Sequence, residues 1–209
     1  MRLSIFIAAF AAFVLPAGAG ATEEPQYTLI ARDGPIEIRD YAPVIVAEVQ
    51  VDGSRRAASG RGFRPLANYI FGGNAPRSEI AMTAPVTTSR RGRSGQEIAM
   101  TAPVTTEPGE GGGWTVAFIM PSEWTMETLP APNDPSVTLR EEPAKRVAAI
   151  AFSGYAGDRT VARAESLLLA YLQEAGLTPV SEPSYAYYDA PWVPGPLRRN
   201  EVMVEIGTE

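Results

Sequence analysis

The sequence contains no cysteine and no histidine among its 209 residues. Without cysteine, the chain can form no disulfide bond, thiolate metal site, cysteine nucleophile or bacterial lipoprotein anchor. Without histidine, it lacks the commonest general base and the commonest protein ligand of metals and haem iron. Zinc hydrolases of the histidine type, Ser-His-Asp triads and histidine-ligated haem are therefore excluded.

Positive charge is also scarce, with 18 Lys and Arg residues against 24 Asp and Glu residues and a formal net charge of −6. Broad nucleic-acid binding needs clustered cations that follow a phosphate track. The one basic cluster, Arg90, Arg91 and Arg93, lies in a polar, glycine-containing stretch and is interpreted as a solvated loop. We expect no nucleic-acid partner. The length and the apolar content of 45% are typical of a single globular domain with a real core.

The first 21 residues have the pattern of a signal peptide. Arg2 precedes an apolar run over residues 3–15, and small residues follow as far as Ala21. Such a run is too short for a comfortable membrane span. We expect cleavage after Ala21, with Ala19 as the alternative. The mature domain, residues 22–209, is then periplasmic or secreted, without stable membrane insertion.

A ten-residue segment, EIAMTAPVTT, occurs twice without change, at residues 79–88 and 97–106. Every second residue is apolar, which predicts half-buried strands joined by the basic loop. Pro85 and Pro103 cannot donate to a ladder and mark strand ends, edges or bulges. Two interpretations stay open. Either the copy lengthened a hairpin without changing function, or Met82 and Met100 point into one cavity from equivalent positions.

Two helices are predicted. Phe63, Leu66 and Ile70 follow helical spacing, and Pro65 fits only in a first turn, which places the helix at about 62–71. A second helix is expected at 158–175, with Asp158 as its N-cap and Gly176 as its stop.

Alternating or β-branched runs between turn residues predict the strands. They fall at residues 27–32, 36–40, 44–51, 114–120, 137–140, 146–152, 185–188 and 202–206. Residues 121–136 hold four prolines and are assigned no regular structure. A long strand, a turn and an amphipathic helix occur in each half of the chain. This order predicts an α+β domain in which a mainly antiparallel sheet curls toward a barrel, with two helices outside.

Several motifs carry a resemblance to a known family. They are GFRPL at 62–66, YIFGGN at 69–74, IAMTAPV at 80–86, FIMP at 118–121, FSG at 152–154 and RRNEV at 198–202. In this order they resemble the SOUL/haem-binding-protein family, over about residues 27–206. The resemblance implies a distorted β-barrel with two helices.

The resemblance also implies a haem or porphyrin cofactor, bound without catalysis in an apolar groove beside the first helix. Carried over by position, the residues that would bind it are Phe63, Leu66, Tyr69, Ile70, Met82, Met100, Arg198 and Arg199. The two arginines would meet the propionates, and a methionine or Tyr69 could be a weak iron ligand in place of the absent histidine.

Two other functions remain open. The first is a binding module of the same fold for another apolar small molecule. The second is a hydrolase in which a glutamate of raised pKa activates water beside a tyrosine. Glu79, Glu97, Tyr69 and Tyr155 are its candidate residues, and nothing in their spacing singles one out.

Overall fold

The computed structural model describes residues 22–76, 95–109, 111–190 and 192–207. Within these ranges, neither helix combines the length and the hydropathy that a membrane crossing requires.

The described residues form eleven strands and two helices, with the bounds that follow. The strands are β1 (Tyr27–Asp33), β2 (Ile36–Tyr41), β3 (Val44–Val51), β4 (Asn74–Ala75), β5 (Val104–Pro108), β6 (Trp114–Ile119), β7 (Ala131–Pro132), β8 (Thr138–Glu142), β9 (Lys145–Ser153), β10 (Ser184–Tyr187) and β11 (Arg199–Glu205). The helices are α1 (Arg55–Ile70) and α2 (Asp158–Ala175), and Gly195–Leu197 form a single 3-10 turn.

Nine strands form one sheet in the order β1-β2-β9-β11-β10-β5-β6-β3-β8, and every pairing in it is antiparallel. The sheet curls into a half-barrel, which confirms the predicted fold class. The curl is visible in the burial of small side chains on the sheet face away from the helices. Val46, Ala149 and Ala186 are 2%, 0% and 0% exposed although neither of the two described helices covers that face.

The core lies in two clusters, one beneath each helix. Helix α1 packs on β3, β5 and β6, and α2 packs on β9 and β11. Leu66, Tyr69 and Ile70 anchor the first cluster, and Leu168 and Leu172 anchor the second. Each helix follows a long strand, as the repeated order of elements in the sequence predicts.

Helix α1 begins at Arg55, so the prediction of a start near Gly62 is wrong, and Pro65 lies inside the helix. The buried positions of the first turns, as far as the predicted start, are Arg55, Ala58 and Gly62. They have helical spacing, but none is a large apolar residue, so an apolar pattern does not reveal them. Gly62 lets the helix approach β6 closely, because a Cβ there would lie 2.6 Å from Cβ of Val116.

Helix α2 has its predicted bounds, but its N-cap is Gly157 and Asp158 is its first residue. Asp158 still places a carboxylate near the positive end of the helix dipole. Gly176 ends the helix in the left-handed conformation, with φ of 69°, as a C-terminal glycine commonly does.

Only the second copy of the duplicated segment, residues 97–106, can be described, since the first copy and Met82 lie outside the described residues. Glu97 forms an isolated bridge with Phe71, and regular strand begins only at Val104. The predicted alternation is therefore wrong over its first half. Ile98 is buried, but Met100 is 40% exposed.

Contacts of the Asn74 side chain and of Gly95 fix the start of the second copy. The Asn74 amide nitrogen donates to the carbonyl oxygen of Gln96 at 2.8 Å, and the Gln96 N–H donates to the Asn74 Oδ1 at 2.9 Å. Gly95 packs directly on Gly72, so that a Cβ on Gly95 would lie 1.9 Å from the Gly72 oxygen. Residues 121–136 also contain regular structure that the sequence did not indicate, because β7 pairs with β4.

Candidate functional site

Three large apolar side chains are exposed on two neighbouring loops at one end of the sheet. Tyr155, Trp192 and Leu197 are 67%, 83% and 73% exposed. Gly195 lets the two loops meet, since a Cβ there would lie 2.3 Å from ring atoms of Tyr155. The guanidinium of Arg198 lies 5.3 Å from the centre of the Tyr155 ring. We call these four side chains, Tyr155, Trp192, Leu197 and Arg198, the terminal-loop surface.

The terminal-loop surface is tied to the first turn of α1. The Arg55 Nη2 donates to the carbonyl oxygen of Ala156 at 3.3 Å and to Asp158 Oδ1 at 2.7 Å. Arg55 also donates to the hydroxyl of Tyr187. The loop that carries Tyr155 is thus held against the first helix, which the resemblance places beside the ligand.

Arg199 follows Arg198 in the chain, but its side chain is engaged within the protein. Its side chain is 40% exposed and pairs with Glu24 and Glu201, both at 3.0 Å. Its guanidinium also stacks 3.7 Å from the centre of the Tyr188 ring. Contact with a ligand carboxylate would therefore add to these pairs or compete with them.

Glu201, the acidic residue of the RRNEV motif, is the centre of a buried polar network. It is 1% exposed and accepts hydrogen bonds from Arg39 Nη1 at 2.7 Å and Nη2 at 2.9 Å, and from the Tyr188 hydroxyl at 2.8 Å. Burial acts to raise the pKa of Glu201, but the bonds and charge of Arg39 outweigh it and hold that pKa below its usual value. The network fixes β2 and β11 on either side of β9, so its first role is structural.

The predicted site residues of α1 lie mostly in the core. Leu66, Tyr69 and Ile70 are at most 1% exposed and face the sheet. The Tyr69 hydroxyl donates to the carbonyl oxygen of Pro130 at 2.9 Å. Phe63 is 36% exposed and makes an edge contact with Phe118 at 5.3 Å between ring centres. The ligand-binding role of these residues stays a prediction.

The described candidate hydrolase residues lie in three different settings. Tyr69 is buried in the core, Tyr155 is on the terminal-loop surface, and Glu97 bridges to Phe71 at the end of α1. Glu79 lies outside the described residues.

A cleft with two adjoining chambers lies where β3 begins and where β6 and β8 end. The outer chamber has a volume of about 640 Å³ and apolar walls that include Ile45, Met120 and Trp124. The inner chamber, of about 100 Å³, is lined by Tyr41, Glu107, Lys145 and Tyr188 among others. The chambers share six lining residues, namely Pro25, Ala42, Val44, Ile119, Glu142 and Pro143.

Glu107 is a partly buried carboxylate in the inner chamber. Its carboxylate forms no hydrogen bond or ion pair with any residue that the structure describes. Burial raises its pKa, and the nearby charge of Glu142 raises it further. Sequence reasoning did not find Glu107. Alternation along β5 could have revealed it. Thr105 and Glu107 alternate with side chains that face α1, so they lie on the opposite face of the sheet.

Solved structures show the same fold at low sequence identity. The C-terminal domain of EcmrR matches with a TM-score of 0.55 and 12% identity, over 88% of this chain and 99% of that one. A hydrolase from Listeria innocua matches with a TM-score of 0.56 and 12% identity, over 85% of this chain and 94% of that one. An uncharacterized conserved protein from Listeria innocua gives a TM-score of 0.51 and 12% identity, over 90% of this chain and 94% of that one.

No curated protein sequence matches the chain. The sequence model of the SOUL heme-binding protein family matches it in two segments, residues 22–93 and 89–205. The overlap of the two segments falls between the two EIAMTAPVTT copies, as expected if the duplication interrupts the family pattern. The segments cover nearly all of the chain after the predicted leader, and the chain belongs to the SOUL heme-binding protein family.

Proposed function

We propose that this chain is an exported SOUL-family protein that binds haem or another tetrapyrrole on its terminal-loop surface, without histidine ligation. Family membership supports a ligand-binding role. The observation that carries the finer proposal is the exposed set Tyr155, Trp192 and Leu197 beside Arg198. Large apolar side chains exposed on neighbouring loops are a common feature of binding surfaces.

The chemistry of the terminal-loop surface fits a tetrapyrrole better than that of the cleft. A porphyrin has wide apolar faces and carries carboxylates, so it needs aromatic or aliphatic walls and a few cations. Trp192 and Tyr155 supply flat apolar area, and Arg198 supplies charge. Each chamber of the cleft is instead lined by four carboxylates, which would repel the propionates.

The residues of α1 enter this proposal in different ways. Phe63 has ring surface that a ligand can touch as the protein stands. Contact with Leu66, Tyr69 or Ile70 would require α1 to move off the sheet. When bound, haem supplies a redox-active iron. Of the two described residues that the sequence suggests as weak iron ligands, Tyr69 is fully buried and Met100 has an exposed side chain.

Titration of the mature chain with hemin, followed at the Soret band, tests the proposal. Burial of a few hundred Å² at ~25 cal/mol per Å² leads us to expect about micromolar affinity after association costs. Because the surface provides the binding, iron-free protoporphyrin should bind within about tenfold of hemin. Leucine at both Met82 and Met100 should leave the Soret maximum unmoved.

Surface variants test the location. Trp192→Ser and Leu197→Ser should each weaken hemin binding by about tenfold, whereas Val180→Ser, a 58% exposed control elsewhere, should not. Arg198→Gln should weaken it more than Arg159→Gln on the exposed side of α2. A wild-type titration without a saturable spectral change would overturn the proposal, as would equal affinity in all these variants.

Export is a separate part of the proposal and rests on the leader pattern. Expression of the full chain in a Gram-negative host should yield a mature protein that begins at Thr22. Intact-mass measurement that finds Met1 retained on the folded protein would contradict export.

Hydrolysis is a second candidate function, favoured by one observation. The inner chamber holds Glu107, whose pKa is raised, together with Tyr41 and Tyr188. A desolvated carboxyl group that shares a chamber with tyrosines is suited to general acid–base chemistry. Turnover of small p-nitrophenyl esters that is lost in Glu107→Gln would support this candidate. Equal rates for the two proteins would exclude Glu107 from the reaction.

A further inference from the structure

We propose that the cleft is a second ligand site, separate from the terminal-loop surface, that takes an amphipathic organic cation. The apolar body of the ligand would lie in the outer chamber, and its cationic head would lie against Glu107 in the inner chamber.

The charges around the cleft select a cation. The outer chamber is lined by Glu23, Glu24, Glu141 and Glu142, and the inner chamber by Glu107, Glu142, Glu182 and Glu205. Among the described lining residues Lys145 is the one cation, and it pairs with Glu142 at 2.7 Å. Apart from Glu142, Glu24 is the one lining carboxylate with an ionic partner within the described ranges, because it pairs with Arg199. The cleft therefore keeps a net negative charge that an anionic ligand would have to overcome.

The outer chamber supplies a place for an apolar body. Ile45, Ile119, Met120 and Trp124 form its walls together with prolines of three loops. Its volume of about 640 Å³ lies within the range of about 300–1,000 Å³ usual for small-molecule sites. A ligand without apolar surface would leave these walls wetted, so the occupant should be amphipathic.

Glu107 supplies the point that orients the head group. Its carboxylate is partly buried and lacks a hydrogen-bonding partner among the described residues, although Glu142, Lys145, Arg140 and Glu48 act on it electrostatically. A half-buried charge without a partner is costly, and a ligand cation would remove that cost. A cationic head group can therefore gain binding energy at this position that a neutral head group cannot gain.

The site does not coincide with the terminal-loop surface. Tyr155, Trp192, Leu197 and Arg198 are absent from the residues that line either chamber. Occupation of the cleft and hemin binding can therefore be measured independently.

Three probes with one decyl tail test the proposal by calorimetry, at concentrations below micelle formation. They are decyltrimethylammonium, decyl maltoside and decyl sulfate, which differ in head-group charge. Wild-type protein should bind the cation at least tenfold more tightly than the neutral probe, and the anion most weakly. Equal affinity for the three probes would overturn the proposal.

The isosteric variant Glu107→Gln should weaken the cation at least tenfold and leave the neutral probe and hemin unchanged. The neutral probe and hemin thereby report that the fold and both sites survive the substitution. Glu174→Gln, on the exposed side of α2, is the matched charge control and should change nothing. Cation affinity that falls equally in both variants would show a general charge effect and would reject Glu107 as the anchor.

Discussion

The buried pair of Arg39 and Glu201 allows a quantitative prediction for Glu201→Gln. The substitution keeps the size of the side chain and removes the charge that Arg39 faces. Arg39 is 3% exposed, so its guanidinium has almost no access to water after the change. The new amide would also place a donor among groups that already donate, namely Arg39, Tyr188 and Arg199.

The expected cost is large for a single substitution. Removal of one partner from a buried ion pair typically destabilises a protein by about 3–5 kcal/mol. In a domain of this size, 1 kcal/mol corresponds to about 2–4 °C in Tm, so we expect a decrease of about 6–20 °C.

The cost should depend on pH in a defined direction. The folded pKa of Glu201 is lowered, so its charge contributes stability above the unfolded pKa of about 4.3. That contribution is lost as pH falls through the folded pKa. The difference in unfolding free energy between wild type and Glu201→Gln should therefore be largest near pH 7 and should shrink in strong acid.

Urea unfolding of the mature chain, followed by tryptophan fluorescence at pH 7 and at acid pH, measures both effects. Glu174→Gln serves as the exposed control and should unfold like the wild type. An unfolding free energy for Glu201→Gln within about 1 kcal/mol of wild type at pH 7 would refute the view that this pair holds β2 and β11 in place.

Three further predictions concern packing and charge, and thermal unfolding checks each. Gly62→Ala should destabilise the protein by about 1–3 kcal/mol because its Cβ would overlap Val116. Adding Val116→Ala should partly restore the stability. Additive losses in the double variant would contradict this contact. Leu168→Ala should cost about 2–5 kcal/mol, since Leu168 is 0% exposed beneath α2. The raised pKa of Glu107 predicts that Glu107→Gln is more stable than wild type at pH 7, with the gap closing as acid protonates Glu107; a gap independent of pH would contradict this.

Most of the sheet could be predicted because its strands carry their pattern locally. The strand at Val44–Val51 and the hairpin around Gly34 follow from alternation and turn chemistry alone. The start of α1 could not be predicted in this way. Its first turns bury Arg55, Ala58 and Gly62, whose placement depends on partners in distant strands and not on their own hydrophobicity.

The polar residues of the cleft and of the Arg39–Glu201 network could not be predicted from local sequence patterns, for a related physical reason. Arg39 and Glu201 are 162 positions apart in the chain and meet only because β2 and β11 flank β9. Similarly, Glu107 approaches Glu142 and Lys145 only when the sheet curls. Family resemblance identified the RRNEV motif, but only the structure shows that its glutamate is buried in an ion pair.

The contact between Gly95 and Gly72 places a strict demand on the residue that precedes the second copy of the duplicated segment. The residue two positions before that copy is Gly95, whereas Arg77 has this position before the first copy. A Cβ at position 95 would lie 1.9 Å from the oxygen of Gly72, so the backbone there can approach the end of α1 only as glycine. Ten identical residues are therefore not enough to define this place in the fold, which also requires one glycine outside the repeat.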